Sequence, residues 1–415
     1  MKTKQSKSVP DLRFPEFEGG WNHIKFRDCF VTSRAKGSAG LPTFSVTLND
    51  GLVNRRDLER VMRTNLEPHE HLLVKEGDIA YNMMRMWQGA FGRASHSGIV
   101  SPAYVVLCPK PHIDSRHAEY YFKRARSIHN FWAYSYGITN DRLRLYAGDF
   151  LHIAAYTPTL PEQQKIADFL TAVDGRIGQL IQKKALLEDY KKGVMQQLFT
   201  QAIRFKDKVN CEARENALGC DHGNDFPDWE EKKLGDVASF SKGSGISKAE
   251  VHGDGVTPCI RYGELYTHYS ELIGEVKSRT NVEAKYLVMS QRNDVIIPAS
   301  GETHIDIATA SCVMEAGIAL GGDLNIIRAE TNGVFLAYYL NNAMKHGIAR
   351  MAQGSSVIHL YPAQLKLLKL SVPSLPEQTK IADFLSALDR KIESVATQIT
   401  ETQTFKRGLL QQMFI

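Results

Sequence analysis

No apolar run in this 415-residue chain approaches the roughly 20 residues that a membrane-spanning helix needs. The segment Met1 to Pro10 is polar and lysine-bearing and lacks the apolar stretch of a signal peptide, so a cytoplasmic location is expected. Cysteine is sparse: Cys29, Cys108, Cys211, Cys220, Cys259 and Cys312 are scattered with no CxxC pair. The nearest approach to a metal cluster is Cys211, Cys220 and His222, whose spacing is unlike a zinc ribbon or finger. No metal is expected, and free thiols in a reducing compartment are the reading. Charge of one sign is not in large excess either. The net charge of +5 and pI near 8.7 are compatible with a polyanionic partner without requiring one.

Catalytic signatures are missing as well. Lys242-Gly243-Ser244-Gly245 and Gly321-Gly322 lack the Walker spacing and a following GK[ST], and read as turns. Pro227-Asp228-Trp229-Glu230-Glu231-Lys232 superficially resembles a PD…ExK nuclease core. That chemistry needs carboxylates converging on a metal from neighbouring strands, a wider separation than adjacent residues supply. The stretch from Phe17 to Lys25 keeps no such set, so a segment leading into a domain is the better reading. No Ser/His/Asp or Cys/His constellation stands out, and a non-enzymatic chain with no catalytic residues is expected.

The chain does contain a repeat. Residues 158–170 read PTLPEQQKIADFL and residues 373–385 read PSLPEQTKIADFL, an offset of 215. The offset persists from Asp174 to Asp389, Ile177 to Ile392, Lys191 to Lys406 and Gly193 to Gly408. It continues from Gln196-Gln197-Leu198-Phe199 to Gln411-Gln412-Met413-Phe414. Fainter matches lie upstream: Arg13-Phe14-Pro15-Glu16-Phe17 with Trp21 against Asp225-Phe226-Pro227-Asp228-Trp229, Gly77-Asp78-Ile79 against Asn293-Asp294-Val295, and Tyr120-Tyr121 against Tyr338-Tyr339. Between these anchors the halves share almost nothing. The order is variable domain, constant helix, variable domain, constant helix.

Each constant segment opens as a capping box, Thr159 with Glu162 and Ser374 with Glu377, with Pro161 and Pro376 in the first turn. Apolar residues then recur at steps of four and three. The first copy has Ile166, Leu170, Val173, Ile177, Leu180, Leu187, Val194 and Leu198; the second has Ile381, Leu385, Leu388, Ile392, Val395, Ile399, Leu409 and Met413. A 3.5-residue period predicts a coiled-coil seam. About 38 residues at 1.5 Å each give a rod of nearly 60 Å. If the helices pair antiparallel, the variable domains stand at opposite ends of it, which suits a reader of two separated, unlike half-sites on a duplex.

The LPEQxKIADFL helix openings, the Phe-Pro lead into each variable domain and the two-copy arrangement resemble the specificity subunits of type I restriction–modification systems. The resemblance implies an α+β fold: two mixed α/β target recognition domains joined by two long helices in an antiparallel coiled coil, with pseudo-two-fold symmetry. The corresponding boundaries are 1–157 for the first recognition domain, 158–202 for the first conserved helix, 203–225 for a linker, 226–372 for the second recognition domain and 373–415 for the second helix. It also implies that the partners are double-stranded DNA with a bipartite site, two modification subunits and a restriction motor-nuclease subunit. S-adenosylmethionine is then expected in the modification subunit and no cofactor in this chain, which lacks a methyltransferase's glycine motif and NPPY-like loop. Competing assignments are a specificity subunit for a fused restriction–methylation polypeptide, and a coiled-coil scaffold with two protein-binding domains.

DNA contact needs Arg and Lys for phosphates, and Arg, Asn, Gln, Ser or Thr at base edges. In the first domain these are the basic run Arg55, Arg56, Arg60 and Arg63; Asn82, Arg85, Trp87, Gln88 and Arg93 after a strand-like segment; and Tyr136, Gly137, Asn140, Arg142 and Arg144 before the helix. In the second they are Ser300, Gly301, Glu302, Thr303 and His304, then Gln353, Gly354, Ser355, Ser356 and His359. The latter resembles the polar Gly-Ser loop of the family, from which Gly137-Ile138-Thr139-Asn140 departs. Lys36, Lys242 and Lys248 complete the set as phosphate contacts.

Overall fold

The computed structural model describes residues 8–58, 66–139, 142–207, 224–354 and 357–415. Arg60, Arg63, Asn140, Ser355, Ser356, Cys211, Cys220 and His222 lie outside the described residues. No helix among the described residues is long and apolar enough to cross a membrane. The chain divides into two compact units, Met1–Gln182 with Ala396–Ile415, and Lys183–Val395.

The first unit is built on a four-stranded antiparallel sheet in the order Phe30–Ser33, Tyr104–Pro109, Ile79–Asn82, Phe91–Arg93. The helices Ser115–Phe122 and Ala125–Ala133 cover it. Phe26, Phe30, Tyr81, Phe122, Phe131 and Phe150 form an aromatic core with edge-on and stacked contacts. The domain is closed by its ends: Asn22–Lys25 pairs antiparallel with Ala154–Thr157, which feeds straight into the long helix Leu160–Phe199.

The second unit uses a different interior with the same closure. Two five-stranded sheets replace one of four strands. Glu230–Lys233 pairs antiparallel with Lys369–Val372, which leads into the second long helix, Leu375–Gln412. The Pro227–Lys232 stretch is thus the lead into an opening strand. Its acids are committed to ion pairs, Glu230 with Lys232 and Glu231 with Lys369.

In each unit the start of one long helix lies beside the end of the other. In the first, the Leu12 amide donates to the Gln412 carbonyl, while Arg13 reaches Glu162 and Lys406 reaches Asp174. In the second, Arg204 reaches Glu377 and Lys191 reaches Asp389. The helix segments within each unit therefore run antiparallel. Seam positions Ile166, Leu170, Val173, Leu180, Ile381, Leu385 and Val395 are buried, and Ile177, Leu187, Leu388, Ile392 and Ile399 are half-buried. The outermost of them serve a second purpose. Ile166, Leu170 and Val173 belong to the first domain core, and Ile381 and Leu385 to the second.

The repeated PEQ motif is explained by this attachment, and the capping-box expectation is corrected by it. Glu162 does not turn back to cap its helix: its buried carboxylate accepts from Arg13 Nε and Nη2, both at 2.8 Å, and from Trp21 Nε1 at 3.2 Å. Glu377 does the same with Arg204 Nε at 3.1 Å, Nη2 at 2.8 Å and Trp229 Nε1 at 3.2 Å. Ser374 Oγ is buried with no hydrogen-bond partner, so it does not cap either. The reason is charge: a buried carboxylate is better satisfied by a bidentate guanidinium than by one backbone amide. Gln163 accepts from the Asp114 amide and donates to the carbonyls of His112 and Pro158. Gln378 accepts from the Asn332 amide and donates to the Pro373 carbonyl. Further along, Asp174 accepts from Tyr120 and pairs with Lys406, and Asp389 accepts from Tyr338 and pairs with Lys191. Glu162, Gln163, Asp174 and Lys191, with their repeats Glu377, Gln378, Asp389 and Lys406, thus fasten helix to domain or helix to helix.

Arg13 and Phe14 find their counterparts elsewhere than the aligned Asp225-Phe226. Arg204 takes the place of Arg13, and Phe205 packs edge-on against Phe384 as Phe14 does against Phe169. Arg13 and Trp21 stand eight residues apart, Arg204 and Trp229 twenty-five, and this extra length masked the match.

One position breaks the symmetry chemically. His117 sits between Trp21 and Phe414 where the second unit has Phe335 between Trp229 and Phe199. Burial drives its pKa down from 6.5 to about 3, and Nε2 has no partner. The folded value lies below the unfolded one, so stability is complete above pH 6.5 and is lost as pH falls from 6.5 toward 3. At pH 5 the loss is about 2 kcal/mol. His117→Phe should flatten the melting temperature between pH 6.5 and 5, a window above the carboxylate titrations. An unchanged pH slope in thermal melts would remove His117 as the cause.

Candidate nucleic-acid interface

In the first unit two of the three candidate clusters meet. The loop after strand Ile79–Asn82 and the segment 134–146 are joined by the Leu145 amide donating to the Met83 carbonyl at 2.9 Å and by Tyr81 Oη donating to the Leu145 carbonyl. Asn82 Oδ1 accepts from the Met84 amide and Trp87 Nε1 donates to the Met84 carbonyl, so these two residues shape the loop. Met84, Arg85 and Gln88 are what it exposes. The other segment is a hairpin in which Tyr136 and Arg144 exchange backbone hydrogen bonds at 3.2 and 3.1 Å. Tyr136, Ile138, Arg142 and Arg144 are exposed on it. The Tyr136 hydroxyl donates to Asp149 Oδ2 at 2.5 Å, which holds the phenol above its ordinary pKa and fixes the ring.

The second unit repeats the wiring. The Leu360 amide donates to the Ala299 carbonyl at 3.0 Å, the counterpart of Leu145 to Met83. Gln353 and His359 exchange backbone hydrogen bonds, the counterpart of Tyr136 and Arg144. Ser300-Gly301 additionally pairs with Ile358-His359, bringing both candidate loops into one surface. Ser300 is buried there, whereas Glu302, Thr303, His304, Gln353 and His359 are exposed. Thr303 is tied to Asp306 and His304 Nδ1 lies 3.1 Å from the Ala349 carbonyl oxygen. Lys242 is exposed above the Tyr361 ring at 5.7 Å, which places it beside this surface.

A glycine makes each hairpin possible. A Cβ at Gly137 would stand 2.4 Å from the Arg142 carbonyl oxygen, and one at Gly354 2.0 Å from that of Val357. Gly354 also has φ +132°, where a side chain is strained regardless of space. Gly137, whose segment departs in sequence from the Gly-Ser loop, therefore takes the same place beside its closing pair as Gly354 does. Gly354→Ala should open the second hairpin and lower DNA affinity up to about a hundredfold, from about 1–3 kcal/mol of local strain. Unchanged binding with unchanged circular dichroism would show that the hairpin is not part of the reading surface.

The other candidates have local partners or lie on other turns. Arg93 turns to Glu119 at 3.7 Å. Lys36 donates to the Glu70 carbonyl. Arg55 donates to Ser45 Oγ, and Arg56 is exposed on the same short turn after strand Leu52–Asn54. Lys248 is exposed on the turn Lys248–Glu250. Tyr146 and Tyr361 are also exposed, each one residue beyond a paired leucine, and they match at the offset of 215.

Burial disfavours the thiolate form of the buried cysteines among the described residues. The Pro258-Cys259 dipeptide lies in strand Thr257–Ile260, and burial pushes the Cys259 thiol up to about 11. Cys29 and Cys312 are buried and pushed up to about 12 for the same reason.

Several known proteins are similar to the chain. A family model described as "Type I restriction modification DNA specificity domain" matches residues 227–403. The type I restriction enzyme MjaVIII specificity subunit of Methanocaldococcus jannaschii is 23% identical over 436 aligned residues, covering 99% of this chain and 95% of that protein. Among solved structures, the S subunit of a type I restriction-modification system from M. genitalium has a TM-score of 0.58 at 16% identity, covering 98% of this chain and 99% of that one. A chain from a study of complex assembly and conformational transition of the type I R-M system has a TM-score of 0.52 at 14% identity, covering 96% and 98%. These last two carry the fold.

Proposed function

The chain belongs to the family of type I restriction–modification DNA specificity subunits, and from that premise we propose that it reads a bipartite DNA site with unlike halves. It acts as the sequence-recognition subunit of a multi-subunit complex and is itself non-catalytic, as a specificity subunit is by family. One observation carries the bipartite reading. The two surfaces share a backbone frame, Leu145 to Met83 and Leu360 to Ala299 with a glycine-pinched hairpin beside each, yet present different side chains on it. A common frame with unlike readers is what two unlike half-sites require.

The first surface offers Arg85, Gln88, Arg142 and Arg144. Arginine suits the O6 and N7 acceptors of guanine, and glutamine the N6 and N7 of adenine. The second offers Glu302, Gln353 and His359, with Lys242 placed for a phosphate. Glutamate can accept from the exocyclic amine of cytosine. The partners in this reading are two modification subunits, which carry S-adenosylmethionine and methylate adenine, and a restriction motor-nuclease subunit. The repeated helix surfaces are where modification subunits bind.

The test is salt-dependent binding of the motif duplex by the complex with its modification subunit. Log affinity should fall linearly with log salt at a slope set by the phosphates neutralised, and motif DNA should exceed random DNA by at least about a thousandfold. Salt-insensitive binding, or equal binding to both duplexes, would favour a protein-binding scaffold instead.

A further inference from the structure

We infer that Ile138 is a wedge: with the first surface seated on duplex DNA, its side chain enters the base stack and unstacks one step beside that half-site. The inference rests on the DNA-reading role proposed above. Ile138 is 95% exposed, the most exposed of the large hydrophobic side chains described. It stands on a hairpin whose described flanks are hydrogen-bonded to one another. Tyr136 and Arg144 close it, Gly137 pinches it against Arg142, and the Arg142 amide donates to the Thr139 carbonyl at 2.9 Å. Anchorage below comes from Tyr136 on Asp149 and from the Leu145 amide on Met83.

The surroundings distinguish this residue from a stray surface aliphatic. Trp132, Tyr134, Tyr136, Ile138 and Tyr146 are all exposed within one short stretch. Arg142 and Arg144 are exposed on the returning segment of the same hairpin, so cations stand beside the apolar tip, as a polyanionic partner requires. An apolar side chain standing out in water contributes little to folding. Between two base pairs it replaces lost stacking, and apolar wedges used in this way kink or unstack single steps. The second hairpin is two residues shorter between its closing pair and has Ser355-Ser356 after its glycine, so unstacking is expected in one half-site alone.

The experiment uses the full complex with the modification subunit on duplexes carrying 2-aminopurine at successive positions through both halves. The methylated adenine and its immediate neighbours are left unsubstituted, because extrusion of that base would also raise the signal. For the wild type, fluorescence should rise severalfold at one step of one half only. Ile138→Ser should return that step to the free-duplex level and weaken motif binding by about tenfold, while Ile138→Leu keeps both. Because the side chain is exposed, the serine variant should melt with the wild type. A rise that persists in Ile138→Ser overturns the wedge. So does tight motif binding by the wild type with no rising position, an outcome that leaves the reading role standing. Failure of the wild type to prefer its motif would overturn both.

Discussion

Arg85→Ala combined with Arg142→Ala should lower motif affinity of the assembled complex by a hundredfold or more, while assembly with the modification subunit is unchanged. Each arginine is exposed, and the two lie on loops held together by the Leu145–Met83 hydrogen bond. A bidentate base contact is worth about 1–3 kcal/mol of discrimination, and a charge-assisted phosphate contact is of similar size. Two such losses at one surface multiply. The single variants separate the roles. An arginine that reads a base should relax the motif at one position of one half. An arginine that holds a phosphate should weaken all sequences alike and reduce the salt slope by about one. If the double variant keeps full affinity and the same motif, the first reading surface is misplaced.

Glu162→Ala should destabilise the first unit by about 3–5 kcal/mol, and Glu377→Ala should do the same to the second. Each carboxylate is buried and holds an arginine by two hydrogen bonds and a tryptophan by a third. Removing it takes the bidentate carboxylate from a guanidinium that is then held by backbone carbonyls, Gly19 and Glu18 for Arg13 and Phe226 and Pro227 for Arg204, and takes the acceptor from the indole N–H. The pairing is local, so the effects are separable. Trp21 fluorescence should report Glu162→Ala and Trp229 fluorescence Glu377→Ala in urea titrations of chains in which the other three of the four tryptophans are replaced. In a double-mutant cycle, Arg13→Ala added to Glu162→Ala should cost much less than the sum of the singles. A loss below about 1 kcal/mol would mean that the clasp is solvated and that Gln163 and the apolar turns alone hold the helix.

The long helices could be read from the sequence because they repeat. Period, length and register followed from Ile166 to Leu198 and from Ile381 to Met413. What the period could not reveal is that the outer seam residues also belong to domain cores, since a buried position looks alike whichever neighbour covers it. The role of Glu162 was misassigned for a related reason. The pattern Ser/Thr-x-x-Glu fits a capping box, and the competing partner, Arg13, lies 149 residues away in sequence. Arg204 was hidden by the extra length before Trp229.

The reading surfaces were legible as loops but not as matched frames. Backbone hydrogen bonds such as Leu360 to Ala299 leave no mark in side-chain identity, so Gly137 and Gly354 were not recognised as equivalents. Arg93 and Arg55 stand out in the sequence by their charge, and in the fold they lie against Glu119 and Ser45. Composition says that an arginine is present; only the fold says where it points.

The most direct test of the central claim is a genome-wide map of methylated adenines in host cells with and without this gene, with the modification partner expressed in both. The account predicts that one split motif with two unlike halves loses its methylation when the gene is absent. It further predicts that the Arg85/Arg142 double variant impairs that methylation through one half of the motif. An identical methylation pattern in the two strains would contradict the claim that this chain selects the DNA site.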